Sequence, residues 1–448
     1  MSSGSSVPHH KKAVSDMLLL HLSDIHFSNR DINKPYDQNL GLRDDTVDDI
    51  KKMRANIGKD VDAILISGDI AYHGQKFEYE YAADWLRDAL CPAAGCRFED
   101  IFVIPGNHDV DRKAAAEPIH ELARKALRDT PVSMSNGAIK RFVDSEASSE
   151  MLFKPITNYN RFAAKFLCEV GFYQEDTGQK PYALRDFTLN DGSTLRMWGF
   201  NSVLVCDADD DVNRMFVDPS AAEIITRDDG VTHLVMCHHP FNWLRNSAEF
   251  QNRIEAVSKI HLFGHEHNLR VEDSRRFTRI KAGALHPDRD EPGWQPGYNL
   301  IDLSVSGSPA KRVLDIKLWV RHLLGTRYIA VPDLEGRDPW ILDHELRPWS
   351  PPQPPVPPAA DSIIASPGAT KEGAMAQSGP TVRSVAIKIL ALREFDQKKI
   401  ITELDLHEDG DQRLADYAFA IAAVRRAEAR GELAQLNEAI DRYTGARN

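Results

Sequence analysis

The sequence predicts an α/β fold, and three observations carry that prediction. Five short apolar runs each stop at Asp, Asn or His. Met17–Leu22 leads into Ser23-Asp24-Ile25-His26, Ala63–Ser67 into Gly68-Asp69, and Ile101–Pro105 into Gly106-Asn107-His108-Asp109. Leu234–Cys237 leads into His238-His239-Pro240, and Ile260–Phe263 into Gly264-His265-Glu266-His267. Runs of this length bounded by turn residues read as buried strands. Between them the apolar spacing turns helical, at Val47, Ile50 and Ile57 and again at Phe77, Tyr81, Trp85 and Leu86, and strand–helix alternation indicates an α/β layer. Finally, the polar residues all fall at strand carboxyl ends, where open α/β sheets bind their ligands.

The remaining elements follow in chain order. Residues 1–15 are Ser, Gly, His and Lys and read as a disordered tail; His9 and His10 within it carry no role. Met17–Leu22 is too short and too soon followed by charge for a signal peptide. No run approaches the ~18 apolar residues of a membrane span, so no membrane is expected. Five cysteines (91, 96, 168, 206 and 237) form no zinc-ribbon spacing and point to reduced thiols in a cytoplasmic protein. The 448 residues leave room for two domains.

Between Asp109 and His238 the chain is long for one crossover. Residues 113–185 read as an insertion capping the site, with helices over 119–127 and 159–170 and a Ser-rich loop at 131–150. Thr188–Leu195 forms a hairpin on Asn190-Asp191-Gly192, and its second strand runs to Phe200. Arg270, Arg275, Arg276, Arg279 and Lys281 read as solvent-exposed strand positions rather than a phosphate-facing patch. Ala282–Ala284 and Gly297–Ile301 read as closing strands, and 311–321 as a basic edge strand, completing a domain over 16–346. Prolines make 347–380 an extended linker. Within 381–446, apolar residues recur at helical spacing in three groups: Val382, Val385, Ile389 and Leu392; Leu414, Tyr417, Ile421 and Val424; Leu433, Leu436, Ile440 and Tyr443. Three amphipathic helices of this length predict a small bundle that self-associates or recruits a protein partner.

Imidazole suits Zn, Fe, Ni and Cu, and carboxylate suits Mn and Mg. Seven or eight such side chains exceed what one catalytic zinc uses. They fit two ions, about 3.5–4 Å apart, sharing a carboxylate, the pair that clamps an in-line phosphoryl displacement.

With these five blocks in this order, residues 16 to about 305 resemble the calcineurin-like metallophosphoesterases. The resemblance implies a two-sheet α/β/β/α sandwich with a dinuclear centre of Mn, Fe or Zn at the strand ends. It places Asp24, His26, Asp69 and His267 on one ion, and Asp69, Asn107, His238 and His265 on the other. His108 matches the family's proton-donating, phosphate-steadying histidine, and Asp109 its orienting partner. His239, beside a ligand, is either second-layer or substrate-facing. His21, His73, His233 and His261 read as structural or exposed. The implied reaction is phosphoester hydrolysis by metal-activated water.

Block two, Gly68-Asp69-Ile70-Ala71-Tyr72, lacks the acidic-arginine extension of the family's protein phosphatases, and Gly106-Asn107-His108-Asp109 lacks their Glu. The chain is closer to the cyclic-nucleotide phosphodiesterase branch. Charge agrees. Residues 381–448 carry 11 basic and 12 acidic side chains, so nearly all of the net −12 lies in the rest of the chain. A protein tracking long nucleic acid has the opposite field. A small phosphodiester or nucleotide is the expected substrate; nuclease, phosphoprotein phosphatase and non-catalytic metal-binding scaffold are the alternatives. The segment from Ala423 to Leu433 faintly resembles bacterial effector-associated domains with a death-like fold, which would make the chain an effector in a defence or signalling system.

Overall fold

The computed structural model describes residues 16–28, 37, 39–171, 180–286, 294, 296–352 and 379–445. The expected tail and most of the expected linker lie outside the described residues.

Thirteen strands are described: β1 (Met17–Leu22), β2 (Ala63–Ile66), β3 (Ile101–Val103), β4 (Tyr182–Thr188), β5 (Thr194–Phe200), β6 (Val231–Cys237), β7 (Ile260–Phe263), β8 (Arg270–Asp273), β9 (Thr278–Lys281), β10 (Gly297–Ser308), β11 (Lys311–Leu324), β12 (Arg327–Ala330) and β13 (Trp340–Leu346). They form two sheets. One runs β12-β11-β10-β1-β2-β3 with β13 also on β11; the other runs β4-β5-β6-β7-β9-β8. β1, β2 and β3 run parallel, as do β5, β6, β7 and β9, while β10 to β13, β4 and β8 pair antiparallel. β1 is buried along its whole length, as continuous apolar strands covered on both faces are. One hydrophobic core joins the sheets, taking in Leu20, Ile64, Phe102, Phe200, Val235 and Phe263. The chain is thus an α/β sandwich of two mixed sheets with an added set of C-terminal helices.

Helix α1 (Leu40–Ile57) turns Arg43, Thr46, Ile50 and Met53 inward, and α2 (Lys76–Trp85) turns in Glu78, Tyr79, Ala82 and Ala83. The aromatic face expected for α2 is its flank, where Tyr81 and Trp85 meet Phe27 edge-on at 5.4 and 5.6 Å. Glu78 goes inward because it accepts the backbone N–H groups of His73 and Gln75, each at 3.0 Å.

The structure corrects several other expectations. The Ser-rich stretch is helical, as α4 (Val132–Val143) and α5 (Glu146–Phe153), beside α3 (Pro118–Arg128) and α6 (Thr157–Ala163). Ala138, Ile139 and Val143 of α4 are buried, but interleaved serines diluted their period. The helix expected to Val170 stops early, where Leu167 takes a left-handed φ of 55°. The strand near 282–284 is instead Thr278–Lys281. β11 is an interior strand, flanked by β10 on one side and by β12 and β13 on the other.

After α7 (Ser247–Val257), the C-terminal part holds four helices rather than three: α8 (Val382–Leu390), α9 (Glu394–Glu403), α10 (Asp416–Ala429) and α11 (Leu433–Gly445). α9 escaped notice because its inward face includes Asp396 and Gln397 beside Ile400 and Ile401. The bundle has its own core around Val385, Ile389, Val424 and Ile440. It is not held away from the sandwich: Ala386, Tyr417 and Ile421 pack on Ala164, Arg161 pairs with Asp416 at 2.9 Å and Arg425 with Glu169 at 2.6 Å. Arg383 reaches Asp100, at the amino end of β3, at 3.0 Å. Among the described residues no helix is long and apolar enough to cross a membrane.

Candidate metal centre

Five turns deliver the site. Each follows a strand that ends inside the core, so its side chains meet where β1, β2, β3, β6 and β7 stop. The backbone bends hard to do this. Asp24, His26, Asp69, His265 and His267 have φ of 52°, 53°, 54°, 72° and 55°, a left-handed conformation that non-glycine residues seldom adopt outside functional sites. Gly68, with φ of 104°, opens the second turn, and a Cβ at Gly106 would press on Asp69 Oδ1.

All seven expected ligands are brought together. His26 Nε2 lies 3.1 Å from Asp69 Oδ2, and His267 Nε2 lies 3.2 Å from Asp24 Oδ1. His238 Nε2 is 3.0 Å from Asn107 Oδ1 and 3.4 Å from Asp69 Oδ2; His265 Nδ1 is 3.1 Å from Asn107 Oδ1. Asp69 stands between the two groups. Asp24, His26 and His267 offer donor atoms within 4.8 Å of one another, as do Asp24, Asp69 and His238.

Hydrogen bonding behind the centre supports a cation-binding role. His26 Nδ1 donates to the His286 carbonyl and His238 Nδ1 to the Ser67 carbonyl, both at 2.8 Å. A carbonyl only accepts, so in the neutral rings each Nε2 carries a lone pair aimed at carboxylate or amide oxygen. Lone pairs facing lone pairs need positive charge between them, which a proton supplies in the metal-free chain and a metal ion would supply in its place, and an imidazole fixed by its other nitrogen is the usual ligand arrangement. The electrostatics agree. Burial raises the Asp69 carboxyl, but His238 and His108 outweigh it and hold it well below the usual range. Burial lowers His238, yet Asp69 carries it up to about 9. Burial, with His238 adding to it, lowers His265 to about 3. The donor set fits two divalent ions.

His108 faces the same space. Its N–H donates to Asp69 Oδ1 at 2.8 Å, its Nδ1 donates to the Tyr72 carbonyl at 3.0 Å, and its ring centroid is 4.6 Å from that of His26. Burial lowers it to about 4. The neutral ring therefore presents an Nε2 lone pair, and it must take up a proton before it can donate one. The Nδ1 partner of His108 is thus the Tyr72 carbonyl and not the Asp109 carboxylate. Asp109 instead accepts the N–H groups of Ile70, Ala71 and Gly106 at 3.1, 2.9 and 2.9 Å and the Tyr79 hydroxyl at 2.9 Å, tying blocks two and three together. His239 is turned to the centre: His238, His239 and His265 bring donor atoms within 4.8 Å, and Ser202 Oγ holds His239 Nδ1 at 2.8 Å.

His21, His233 and His261 are buried and bonded to Ser67, Thr226 and Ile254. Arg279 and Lys281, expected in solvent, are tied down: Arg279 to Glu255 and Glu272, Lys281 to Glu266. The sequence reading missed Tyr79, His286, Tyr72 and Trp243. The Trp243 ring meets His265 edge-on at 4.0 Å and the Tyr72 ring lies 4.9 Å from His108. Tyr72 closes block two, three residues after Asp69, and could have been found; His286 and Trp243 sit in irregular segments with no period to mark them.

Carboxylate, amide and imidazole donors converging on the strand ends of an α/β sandwich define a metal-dependent hydrolase. A family model described as calcineurin-like phosphoesterase matches residues 17–269, and the chain belongs to that family of metal-dependent phosphoesterases. Among solved structures it is similar to GAP50, the anchor in the inner membrane complex of Plasmodium, at 12% identity over 75% of this chain and 90% of that one, with a TM-score of 0.37. It is also similar to a single mutant of Vps29 from Entamoeba histolytica, at 10% identity over 70% and 97% of the two chains, with a TM-score of 0.29. Vacuolar Protein Sorting 29 from Cryptosporidium parvum gives 12%, 74%, 99% and a TM-score of 0.29. No curated protein matches the sequence.

Proposed function

We propose that the chain hydrolyses small phosphodiesters, with nucleotides or cyclic nucleotides as the substrate class. What supports this is the facing of His26 and His238 Nε2 onto Asp69 and Asn107 at 3.0–3.4 Å, a donor set suited to the cations of a phosphoesterase. Asp24, His26, Asp69 and His267 would hold one ion, and Asp69, Asn107, His238 and His265 the other, with Mn, Fe or Zn as candidates. Such a pair supplies Lewis-acid polarisation and lowers the pKa of water from 15.7 to about 7. Asp69 also keeps His108 in register through the His108 N–H. His108, once protonated, serves the leaving oxygen; the charge of a bound phosphoryl group favours that protonation. His239 contacts the substrate side of the centre. Long nucleic acid is disfavoured because Arg279 and Lys281 already have carboxylate partners. Residues 113–185 serve as the cap, and 381–446 as the segment that meets a protein partner or a second copy.

A panel of bis(4-nitrophenyl) phosphate, 4-nitrophenyl phosphate, 3′,5′-cyclic AMP and a phosphopeptide, each with added Mn²⁺, tests this. Diester turnover is expected to exceed monoester turnover. His108→Ala should lose about 10²–10⁴-fold with poor leaving groups and less with nitrophenolate. Preference for the phosphopeptide would overturn the substrate assignment.

A further inference from the structure

Where the C-terminal bundle meets the sandwich there is a cavity of about 730 Å³, within the size range of small-ligand sites. Its walls come from both parts: Lys76, Tyr79 and Arg87 on one side, Phe162 and Lys165 below, and residues 390–394 and Gln397 of the bundle on the other. It is separate from the metal centre, whose ligands do not line it.

Charge in this cavity is unevenly matched. Arg161 is bound to Asp416, Arg87 to Asp84 and Asp88, and Lys76 lies 3.5 Å from Glu80. Lys165 is half-buried and has no carboxylate at ion-pair distance among the described residues. The lining carries five cations, Lys76, Arg87, Arg161, Lys165 and Arg393, against four carboxylates, Glu80, Asp84, Glu394 and Asp416, so Lys165 is the cation left over. A half-buried ammonium with no carboxylate beside it is unfavourable unless an anion joins it. The start of α9 borders the same cavity, where Arg393, Glu394 and Gln397 line it.

We infer that this seam is a second ligand site, which takes a small phosphorylated anion against Lys165. Lys165 calls for an anion, and the volume admits anything from pyrophosphate to a nucleoside monophosphate. A ligand there touches sandwich and bundle together. It also lies against Tyr79, whose hydroxyl holds Asp109, so occupancy is placed to be felt at blocks two and three. This inference does not depend on the substrate proposed above.

The test is calorimetric titration of the full-length chain with pyrophosphate, and separately with AMP. The protein is first treated with chelator, so that cations at the strand ends cannot bind the probe. Binding of either probe is expected, weakened at least tenfold in Lys165→Glu. Lys165→Gln, which keeps the side-chain volume, serves if the Glu variant fails to fold by circular dichroism. No binding of either probe to the unmodified chain, or equal binding by the Lys165 variant, overturns the site.

Discussion

Asp69 does more than any other side chain to join the centre. Its Oδ2 faces His26 and His238, and its Oδ1 accepts the His108 N–H. Asp69→Asn is therefore expected to lower turnover further than replacing any ligand that serves one ion, with elemental analysis showing at most one ion per chain. Two retained ions with near-normal turnover would refute the bridging position. Tyr79 acts at one remove. Removing its hydroxyl in Tyr79→Phe takes one donor from the buried Asp109 carboxylate, a loss of about 1 kcal/mol. The melting temperature should fall while both ions stay bound, and turnover should drop through a looser block two. At this scale the sequence was most legible where residue type and position coincide, at Asp, Asn and His on strand ends. It was least legible where a role depends on a tertiary neighbour. Asp109 sits beside His108 in the chain, yet bonds to Ile70, Ala71 and Tyr79, and nothing in the tetrapeptide announces that.

The turns that follow the strands matter as much as the strands. Five of the candidate ligands sit at positive φ, and that strain persists because the core strands before them are fully buried. Block three shows how little room remains: a Cβ at Gly106 would meet both the Asp69 carboxylate and its N–H. Gly106→Ala should therefore displace Asp69 and reduce metal content, although residue 106 binds no metal itself; unchanged metal content would show that the turn can give way. Strands were legible because apolar runs of four to seven residues have few other uses in a buried sheet. Helix faces were read less well. In α2 the inward face is set by Glu78 accepting backbone N–H groups, a polar contact that apolar periodicity cannot register. α4 and α9 were hidden by buried serine, aspartate and glutamine for the same reason.

At the scale of the whole molecule, two sheets deliver their ligands to one edge while the bundle docks beside the amino end of β3. The helical character of 381–446 was readable from its apolar spacing. The docking was not, because it rests on Ala164, Ala386, Tyr417 and three ion pairs of high sequence separation. Removing residues after 352 uncovers Ala164 and leaves Glu169 without Arg425, so the truncated chain should melt at a lower temperature yet keep its ions and most of its diester turnover. Loss of turnover with ions retained would mean that the bundle completes the active site. The central claim, a phosphoesterase run by two cations at the strand ends, is tested most directly by titrating Mn²⁺ into chelator-treated protein while measuring bound metal and hydrolysis of bis(4-nitrophenyl) phosphate together. Hydrolysis should be absent without metal and rise to its maximum as occupancy approaches two ions per chain. Undiminished hydrolysis at zero bound metal, or none at full occupancy, would contradict it.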